Sequence, residues 1–297
     1  MILIIGEILF DHFPDGKKLG GAPFNFAFHL KELGFPLKFF SRVGMDEAGD
    51  EIHEFLADHK FDALNLQRDP DHATGTVMVE LCGEAHEFTI TENAAWDHME
   101  FIPAMEKILK TAPDLLYFGT LLQRGSKGQA LIETIMANKP QGTRVFSDIN
   151  LRPGGDAPTV IQNTLNAADI VKMNKDELNQ IWGLSMDHLN LEDQVRERMA
   201  EFNIDQVILT LGTEGSLWVT GDEACYSPVF TIHPIADTVG AGDAYAAICA
   251  AGLLENASLK RTMALAGEFA GRICTVPGAI PDIPGLYRRF QQRATRL

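Results

Sequence analysis

Residues 237–243 have the sequence Asp-Thr-Val-Gly-Ala-Gly-Asp, the segment with the clearest chemical signature in the chain. The two glycines and the alanine open a long apolar segment, which predicts a helix over 241–254. Free N–H groups in the first turn of a helix, together with the positive end of the helix dipole, favour phosphate binding. Asp243 falls in that turn, where a lone carboxylate is either a partner of the helix dipole or a general base. The segment therefore predicts a phosphate site with an acidic side chain beside it.

Other nucleotide and metal patterns are missing from the sequence. No Gly-x-x-x-x-Gly-Lys-[Ser/Thr] loop occurs, and the glycines at 240–242 fail the dinucleotide fingerprint because Tyr245 is too large for its third small position. The nine histidines form no His-Glu-x-x-His motif, and the four cysteines form no Cys-x-x-Cys pair. Nicotinamide-dependent oxidoreductases and metal sites built from histidine or cysteine are therefore disfavoured.

The charge balance narrows the class of partner. The 297 residues include 25 Lys and Arg against 41 Asp and Glu, a formal net charge of −16. This acidity argues against nucleic acid or an anionic membrane as the main partner. The longest apolar run, 244–254, is much shorter than the roughly 20 residues of a membrane span, and no signal peptide is recognised. We therefore expect a cytoplasmic protein that acts on small molecules, with no nucleic-acid and no membrane partner.

Apolar runs alternate with amphipathic segments along most of the chain. The predicted strands are 1–10, 37–43, 114–118, 144–148, 169–173 and 206–211. The predicted helices are 23–33, 46–59, 125–138, 156–167, 175–182, 190–202, 241–254 and 258–272. This alternation favours an α/β fold with a mainly parallel central sheet and helices on both faces, built as one domain over 1–297. Two short β-like runs, 74–81 and 86–91, predict a hairpin that projects from this domain.

Six motifs resemble those of the ribokinase-like (PfkB) carbohydrate kinases in type and order, and are most similar to those of the fructokinases. They are Gly-Gly-Ala-Pro-Phe-Asn-Phe-Ala at 20–27, Arg-Val-Gly-Met-Asp-Glu-Ala-Gly at 42–49, Asp-Ile-Asn-Leu-Arg at 148–152, Asn-Lys-Asp-Glu at 174–177, Thr-Leu-Gly-Thr-Glu-Gly at 210–215 and the segment 237–243. The resemblance extends over nearly the whole chain. It implies a ribokinase-like α/β fold with a small β lid, and transfer of phosphate from ATP to a sugar hydroxyl.

The resemblance assigns the chemical step to segment 237–243. Asp243 matches the base that takes the proton from the sugar hydroxyl. The amides of Gly240, Ala241, Gly242 and Asp243 match an anion hole, which stabilises charge on the transferred phosphate. Because the hydroxyl loses its proton late in a loose transition state, we expect Asp243 to remain an ordinary, ionised carboxylate.

The resemblance also implies a sugar pocket. Asp11, at the end of the first predicted strand, matches an acceptor of hydrogen bonds from sugar hydroxyls, and Gly21 and Asn25 match other sugar contacts. Taken alone, Asn25 also suits a helix cap or a surface position. Arg152 matches an arginine near the phosphates or the substrate, where its guanidinium suits a phosphate or a carboxylate. Its alternative role is a structural ion pair.

ATP is the expected phosphate donor. The nucleotide contacts implied by the resemblance are Asn174, Thr210, Gly212, Gly215, Gly242 and Gly278. The small residues Ala266, Gly267 and Ala270 lie at helical spacing, which suits either tight helix packing or the wall of an adenine pocket.

Mg²⁺ and a monovalent cation accompany ATP in this resemblance. Glu177 matches a residue that holds Mg²⁺ through water, which suits an ion that keeps several of its waters. Asn174 and Glu177 are three residues apart, so they also fit a helix cap with its capping-box partner, and both interpretations stay open. Asp237 marks a K⁺ site in many members of the family, although Asp282 stands where others have serine.

A β lid over the sugar is implied by the segments 10–19 and 74–91, which resemble its strands. Closure of such a lid excludes water and limits wasteful hydrolysis of ATP. Exposed apolar faces of a lid can also pair two chains, so a homodimer through the lid is a hypothesis.

Several functions stay open at this point. Fructose is the favoured sugar because of Gly6-Glu7, the motif at 20–27 and Asp-x-Asn-x-Arg, but these features fit a 2-keto-3-deoxygluconate kinase as well. A nucleoside kinase is a weaker alternative, and a phosphosugar kinase lacks the extra basic residues that its pocket needs. The alternative from another class is a non-catalytic sensor of sugar or nucleotide, against which the intact segment 237–243 argues.

Overall fold

Two sheets and ten α-helices make up the part of the chain described by the computed structural model, residues 1–14, 16–82, 85–186 and 189–297. In chain order the strands are β1 (Ile2–Ile5), β2 (Leu9–Phe13), β3 (Gly16–Gly20), β4 (Leu37–Gly44), β5 (Leu66–Asp69), β6 (Thr76–Cys82), β7 (Ala85–Ile90), β8 (Leu115–Gly119), β9 (Arg144–Asp148), β10 (Ile170–Asn174), β11 (Gln206–Thr210), β12 (Ser216–Thr220) and β13 (Ala224–Ser227). The helices are α1 (Ala22–Glu32), α2 (Glu47–Asp58), α3 (Pro103–Leu109), α4 (Ser126–Asn138), α5 (Pro158–Ala167), α6 (Lys175–Trp182), α7 (Leu191–Phe202), α8 (Ala241–Leu254), α9 (Leu259–Ile273) and α10 (Leu286–Ala294).

The larger sheet has nine strands in the order β13-β12-β11-β10-β9-β8-β1-β4-β5. Neighbouring strands from β11 to β5 run parallel, while β12 and β13 pair antiparallel. The predicted mainly parallel sheet is therefore confirmed. The strand order reverses beside β1, because β4 and β5 extend the sheet on one side and β8 to β11 extend it on the other. In open α/β sheets, ligands bind at the carboxyl ends of the strands beside such a reversal.

The predicted first strand, 1–10, is wrong, because the structure divides it between two sheets. β1 ends at Ile5, the chain turns through 6–8, and β2 begins the second sheet at Leu9. Gly6 allows the turn to lie against α1, since a Cβ at this position would sit 2.3 Å from Cγ of Pro23. The apolar run shows only that these residues are buried, and both sheets bury them.

The smaller sheet has four strands in the order β3-β2-β6-β7 and occupies the predicted lid segments 10–19 and 74–91. β2 pairs antiparallel with β3 and parallel with β6, so it joins the two segments into one sheet. β6 and β7 form the predicted hairpin. Gly83 and Glu84, in the expected turn of this hairpin, lie outside the described residues.

Helices cover both faces of the larger sheet, as predicted. One apolar core lies between the sheet and α1, α2, α8, α9 and α10, and a second core lies between the sheet and α3 to α7. α8 is buried continuously from Asp243 to Gly252, as expected of a helix that is apolar on all sides. The short α3 and the arginine-rich α10 were not predicted. Within the described ranges, no helix is both long and apolar enough to cross a membrane.

Replacement of Phe26 should test the contact between α1 and the sheet. The Phe26 ring stacks on Tyr117 of β8 with 3.9 Å between the ring centroids, and both side chains are fully buried. We expect Phe26→Ala to lower the free energy of unfolding by about 3–5 kcal/mol, through lost burial and an unfilled cavity. Urea unfolding measures the change. Leu64→Ala is the control, because Leu64 is 82 % exposed and a surface change there should stay within about 0.5 kcal/mol. Equal stability of the two variants would contradict this packing.

Candidate active site

The carboxyl ends of three neighbouring strands meet the N-terminus of α8. β9 ends at Asp148, β10 at Asn174 and β11 at Thr210, so their last side chains lie along one edge of the sheet. α8 begins after Gly240, which caps it in the left-handed conformation with φ 77°. A Cβ on Gly240 would lie 2.3 Å from Cβ of Ala279, so this position accepts only glycine.

The first turn of α8 offers free hydrogen-bond donors. The N–H groups of Gly240, Gly242 and Asp243 have no acceptor among the described residues. The N–H of Ala241 differs from its neighbours, because it donates to the carbonyl of Thr238 at 3.3 Å. Three of the four predicted anion-hole amides are therefore ready to receive an anion in this structure, and the Ala241 amide is already in use.

A cavity of about 400 Å³ opens beside this turn, and we call it the sugar-side cavity because the residues predicted to bind sugar line it. The smaller sheet forms one wall of this cavity through Leu9, Asp11, Val77 and Ile90. It contains most of the predicted sugar-binding and catalytic residues: Asp11, Gly21, Asn25, Arg152, Gly240, Gly242 and Asp243. The structure thus brings together residues that lie as much as 232 positions apart in the sequence (243 − 11).

Asn25 and Asp243 form a direct contact between α1 and α8. The side-chain amide of Asn25 donates a hydrogen bond to Oδ2 of Asp243 at 2.8 Å, and both residues are buried. Asn25 is therefore neither a helix cap nor a surface residue. Gly21 precedes α1 with φ 106°, and a Cβ there would lie 2.6 Å from the carbonyl oxygen of Glu7. Only glycine lets α1 start this close to the turn after β1.

Asp243 is not the ordinary carboxylate that the sequence analysis expected. Burial, followed by repulsion from the Asp148 carboxylate, raises the pKa of Asp243 to about 7. The Asn25 hydrogen bond and the positive charges of Lys172 and Arg152 lower the pKa by less. A carboxyl group with a pKa near 7 is suited to accept a proton near neutral pH.

Asp11 lies in the predicted pocket but not on the predicted element. It belongs to β2 of the smaller sheet instead of the end of the first strand of the larger sheet. Burial raises the pKa of Asp11 to about 6, although Arg152 opposes the shift. Glu7 lines the same cavity, and burial raises its pKa to about 7. The sequence analysis used Glu7 only as part of a motif. Its position soon after a buried strand could have indicated that it lies at the site, because ligands bind at the carboxyl ends of such strands.

A buried ion pair in the cavity was not predicted. Nζ of Lys172 lies 2.7 Å from Oδ2 of Asp148, and both residues line the cavity. The two residues are direct neighbours in the parallel pairing of β9 and β10. Burial lowers the pKa of Lys172, but the Asp148 carboxylate outweighs this effect and leaves the pKa above its usual value. The sequence pattern that could have predicted this ion pair is Ile170-x-Lys172-x-Asn174. It places two polar residues on the same face as Ile170 at the end of a buried strand.

The capping-box interpretation of Asn174 and Glu177 is confirmed. Oδ1 of Asn174 accepts hydrogen bonds from the N–H groups of Asp176 and Glu177, and the Glu177 carboxylate accepts the N–H of Asn174 at 2.8 Å. The other Glu177 oxygen accepts the N–H of Leu151 at 2.9 Å. Glu177 thereby ties the start of α6 to the loop after β9, and both residues still line the cavity.

A second cavity, of about 490 Å³, lies on the other side of the α8 turn. It contains the predicted nucleotide-binding residues Asn174, Thr210, Gly212, Gly215 and Gly242. Gly267 and Ala270 also line it, as the adenine-pocket interpretation requires, whereas Ala266 is buried in the core. The two cavities share Asn174, Thr210, Thr238 and Gly242. They therefore meet at the free amides of α8.

Asp237 and Gly278 line neither cavity and support the loop before α8 instead. The two Asp237 oxygens accept the N–H groups of Val239 and Gly278 at 3.0 Å each. Among the described residues no cluster of three or more His, Cys, Asp or Glu side chains could hold a metal ion. The predicted contact of Gly278 with the nucleotide therefore stays a prediction.

Solved structures of sugar kinases share this architecture. An uncharacterized sugar kinase from Pyrococcus horikoshii, in complex with ATP, superposes with a TM-score of 0.76 at 23 % identity, covering 94 % of each chain. A Vibrio cholerae fructokinase with bound fructose, ADP and calcium ion gives 0.77 at 26 % identity, covering 97 % of each chain. A 5-dehydro-2-deoxygluconokinase from Bacillus anthracis is 26 % identical over 266 residues, 86 % of this chain and 79 % of the relative. The fold is therefore ribokinase-like, as expected.

Residues 15–285 match the pfkB family carbohydrate kinase. The chain belongs to this family, and it is an ATP-dependent sugar kinase.

The pKa of Asp243 leads to a pH-dependent prediction about stability. A carboxyl whose pKa is raised by folding contributes stability below its unfolded pKa, near 3.9, and loses it as the pH rises through the folded value. At pH 8 the ionised Asp243 should therefore destabilise the ligand-free protein. We expect Asp243→Asn to raise the Tm at pH 8 by at least about 2 °C, the shift that ~1 kcal/mol gives in large domains.

Differential scanning fluorimetry at pH 8 and pH 5 measures this effect. The gain in Tm should shrink at pH 5, where the folded wild-type carboxyl is largely protonated. Glu133→Gln on α4 is the control, because Glu133 is exposed and lines neither cavity. A variant that is less stable than the wild type at both pH values would show that Asp243 is not held at an electrostatic cost.

Proposed function

We propose that this enzyme transfers the γ-phosphate of ATP to a hydroxyl of a neutral sugar, with fructose as the favoured substrate. The observation that supports this proposal is the position of Asp243. Its carboxylate faces the sugar-side cavity in the first turn of α8, where the two cavities meet. A general base and free amides then lie between an acceptor site and a nucleotide site, the arrangement that an in-line transfer needs.

In the proposed step Asp243 accepts the proton of the sugar hydroxyl while the hydroxyl oxygen bonds to the γ-phosphorus. The bond from that phosphorus to the β–γ bridging oxygen breaks, and ADP leaves with the electron pair. The N–H groups of Gly240, Gly242 and Asp243 are positioned to stabilise the charge on the transferred phosphate. Loss of one such fixed donor typically costs ~10²–10³ in turnover. The Ala241 N–H joins them only if it leaves the carbonyl of Thr238.

The polar lining of the sugar-side cavity favours a substrate with many hydroxyl donors. Glu7 Oε2 and Asn25 Oδ1 are buried acceptors that have no hydrogen-bond partner among the described residues. Unsatisfied buried acceptors are costly, so a ligand that donates to them binds with a gain. Asp11 adds a further carboxylate at the lid. Gly21 leaves the backbone accessible beside them.

The charge of the same cavity disfavours a phosphorylated sugar. Two cationic side chains line it, Arg152 and Lys172, and Lys172 is paired with Asp148. The carboxylates in the lining are Glu7, Asp11, Asp148, Glu177 and Asp243. A second phosphate would meet more negative than positive charge there, whereas a neutral ketose would not. The bound fructose of the Vibrio cholerae relative supports the choice of fructose.

A sugar acid is the second candidate substrate, and Arg152 is the observation that favours it. Its guanidinium group lines the sugar-side cavity and could hold a carboxylate with two hydrogen bonds. Nη1 of Arg152 donates to the carbonyl of Leu151 at 2.9 Å, which holds the side chain over the loop after β9. The Bacillus anthracis relative is named for a gluconate-derived substrate. 2-Keto-3-deoxygluconate therefore belongs in the substrate test.

Mg²⁺ fits this site through water. Each Glu177 oxygen accepts one backbone N–H and keeps a lone pair, and Asn174 lies between the two cavities. Mg²⁺ commonly binds through one carboxylate and substrate phosphates while it keeps several waters. When bound it would neutralise charge on the nucleotide phosphates. K⁺ beside Asp237 and a cytoplasmic location stay predictions, as does one domain over 1–297 with the smaller sheet as its lid.

The substrate class is tested by ADP release from ATP and Mg²⁺ with a panel of acceptors. The panel contains fructose, ribose, glucose, 2-keto-3-deoxygluconate, adenosine and fructose 6-phosphate. We expect turnover with fructose that falls by at least ~10²-fold in Asp243→Asn, because the variant cannot accept the proton. The control is Glu133→Gln, which should keep wild-type turnover.

Each outcome of the panel decides between the candidates. Turnover centred on the sugar acid would keep the mechanism and assign Arg152 to its carboxylate. Turnover with fructose 6-phosphate would contradict the charge argument. ATP binding without ADP release from any acceptor would favour the non-catalytic sensor.

We also propose that two chains pair through the outer face of the lid. Val77 faces the sugar-side cavity, whereas its neighbour Met78 is 50 % exposed beside His12 on the opposite face. We expect light scattering to give twice the 32.7 kDa mass of the chain at micromolar concentration. Met78→Asp should lower this mass toward one chain, since a carboxylate does not desolvate well in an apolar contact. A wild type that stays monomeric would refute the pairing.

A further inference from the structure

Lys172 is a cation buried in the lining of the sugar-side cavity, beside the first turn of α8. It lies on β10, is 5 % exposed, and reaches Oδ2 of Asp148 at 2.7 Å. β10 continues on the same face from Lys172 to Asn174, which lines both cavities. The ammonium group therefore stands at the carboxyl edge of the sheet, below the start of α8.

The N-terminus of α8, which carries the positive end of the helix dipole, lies next to this ammonium group. Nζ of Lys172 is 3.5 Å from the point where a Cβ on Gly242 would sit, in the first turn of α8. The N–H groups of Gly242 and Asp243 have no acceptor there among the described residues. A cation beside the positive end of a helix is unfavourable unless an anion lies between or beside them. Asp148 pairs directly with Lys172, and the charges of Glu177 and Asp243 also act on it, but none of these carboxylates accepts a hydrogen bond from the free α8 amides.

We propose that the Lys172 ammonium group contacts the γ-phosphate of ATP and the phosphate in transit, and that Asp148 holds it in place. This proposal rests on the proposed function, whose catalytic set it extends by one residue. Lys172 is then a catalytic residue because it touches the reacting group, and Asp148 is a positioning residue because it acts through Lys172.

Lys172 changes the electrostatics of the transfer without exchanging a proton. The sugar oxygen bonds to phosphorus, the bond to the β–γ bridging oxygen breaks, and the hydroxyl proton passes to Asp243. Lys172 keeps its proton throughout and donates hydrogen bonds to the oxygens of the phosphate in transit. It also opposes the repulsion between this phosphate and the buried carboxylates of Asp148 and Asp243.

A purely structural ion pair is the competing explanation, and nucleotide affinity separates the two. A Lys172 that touches the γ-phosphate should matter for ATP and much less for ADP, which lacks that group. We expect Lys172→Met to weaken ATP binding at least about tenfold more than ADP binding in isothermal titration calorimetry. With the acceptor sugar, kcat should fall ~10²-fold or more, as for other fixed electrostatic contacts, with KM for the sugar within about threefold of the wild type.

Three further variants make the experiment decisive. Lys172→Arg should restore part of both losses, because it keeps the charge but places it differently. Lys110→Met is the matched control at an exposed lysine paired with Glu106 on α3, and it should change neither affinity nor kcat. If Lys172→Met fails to fold, the double variant Lys172→Met with Asp148→Asn removes both buried charges and leaves none unpaired. The double variant should still lose the preference for ATP over ADP.

Equal loss of ATP and ADP affinity in these variants, or an unchanged kcat, would overturn the role of Lys172. A wild-type enzyme that releases no ADP with any acceptor would instead overturn the proposed function. The nucleotide titrations would still decide whether Lys172 touches the γ-phosphate in that case, because they need no sugar.

Discussion

The half-buried N-terminus of α8, which lies between the two cavities, is the constraint on which the rest of the site depends. Helix ends leave N–H groups unpaired, and such groups are normally capped by side chains or exposed to water. Here Gly240 caps the helix without a side chain, and the amides of Gly240, Gly242 and Asp243 find no acceptor in the described structure. The position of α8 is fixed because its following turns pack against α1, α9 and the sheet. The fold thus holds these hydrogen-bond donors in fixed positions where an anion could accept from them.

The same enclosure sets the electrostatics of the pocket. Five carboxyl groups line the sugar-side cavity, and burial raises the pKa values of three of them, Glu7, Asp11 and Asp243, above their ordinary range. Two cations, Arg152 and Lys172, partly balance them. In the proposed mechanism stability and activity therefore oppose each other at Asp243, since the ionised form that would accept a proton is the form that folding disfavours.

The two sheets contribute different kinds of side chain to the cavities. The larger sheet supplies the polar side chains at the carboxyl ends of β9, β10 and β11, where a parallel sheet positions them rigidly. The smaller sheet supplies Asp11 and the apolar side chains above the sugar-side cavity. A large sheet under a small separate sheet is an arrangement in which the proposed lid could close without displacing the polar side chains of the larger sheet.

The sequence by itself determined the family, the glycine-rich turn that begins α8 and the parallel sheet, because these depend on local chemistry. Gly-Ala-Gly before an apolar run predicts the start of a helix. The alternation of apolar runs with amphipathic segments predicts a parallel sheet covered by helices. Asn174 and Glu177 were understood in the same way, since a capping box is contained within four residues.

Only the tertiary structure decided the properties that come from distant residues. The run at 1–10 divides between two sheets because burial, not strand continuity, is what an apolar run encodes. Asp243 acquires its high pKa from burial and then from the Asp148 carboxylate, which no local pattern records. The sequence did not predict the position of Lys172 in the site, because that position depends on the pairing of β9 with β10 and on the nearby first turn of α8. Spacing along the chain specifies which groups are available, whereas their charge state and partners are set by what folding packs around them.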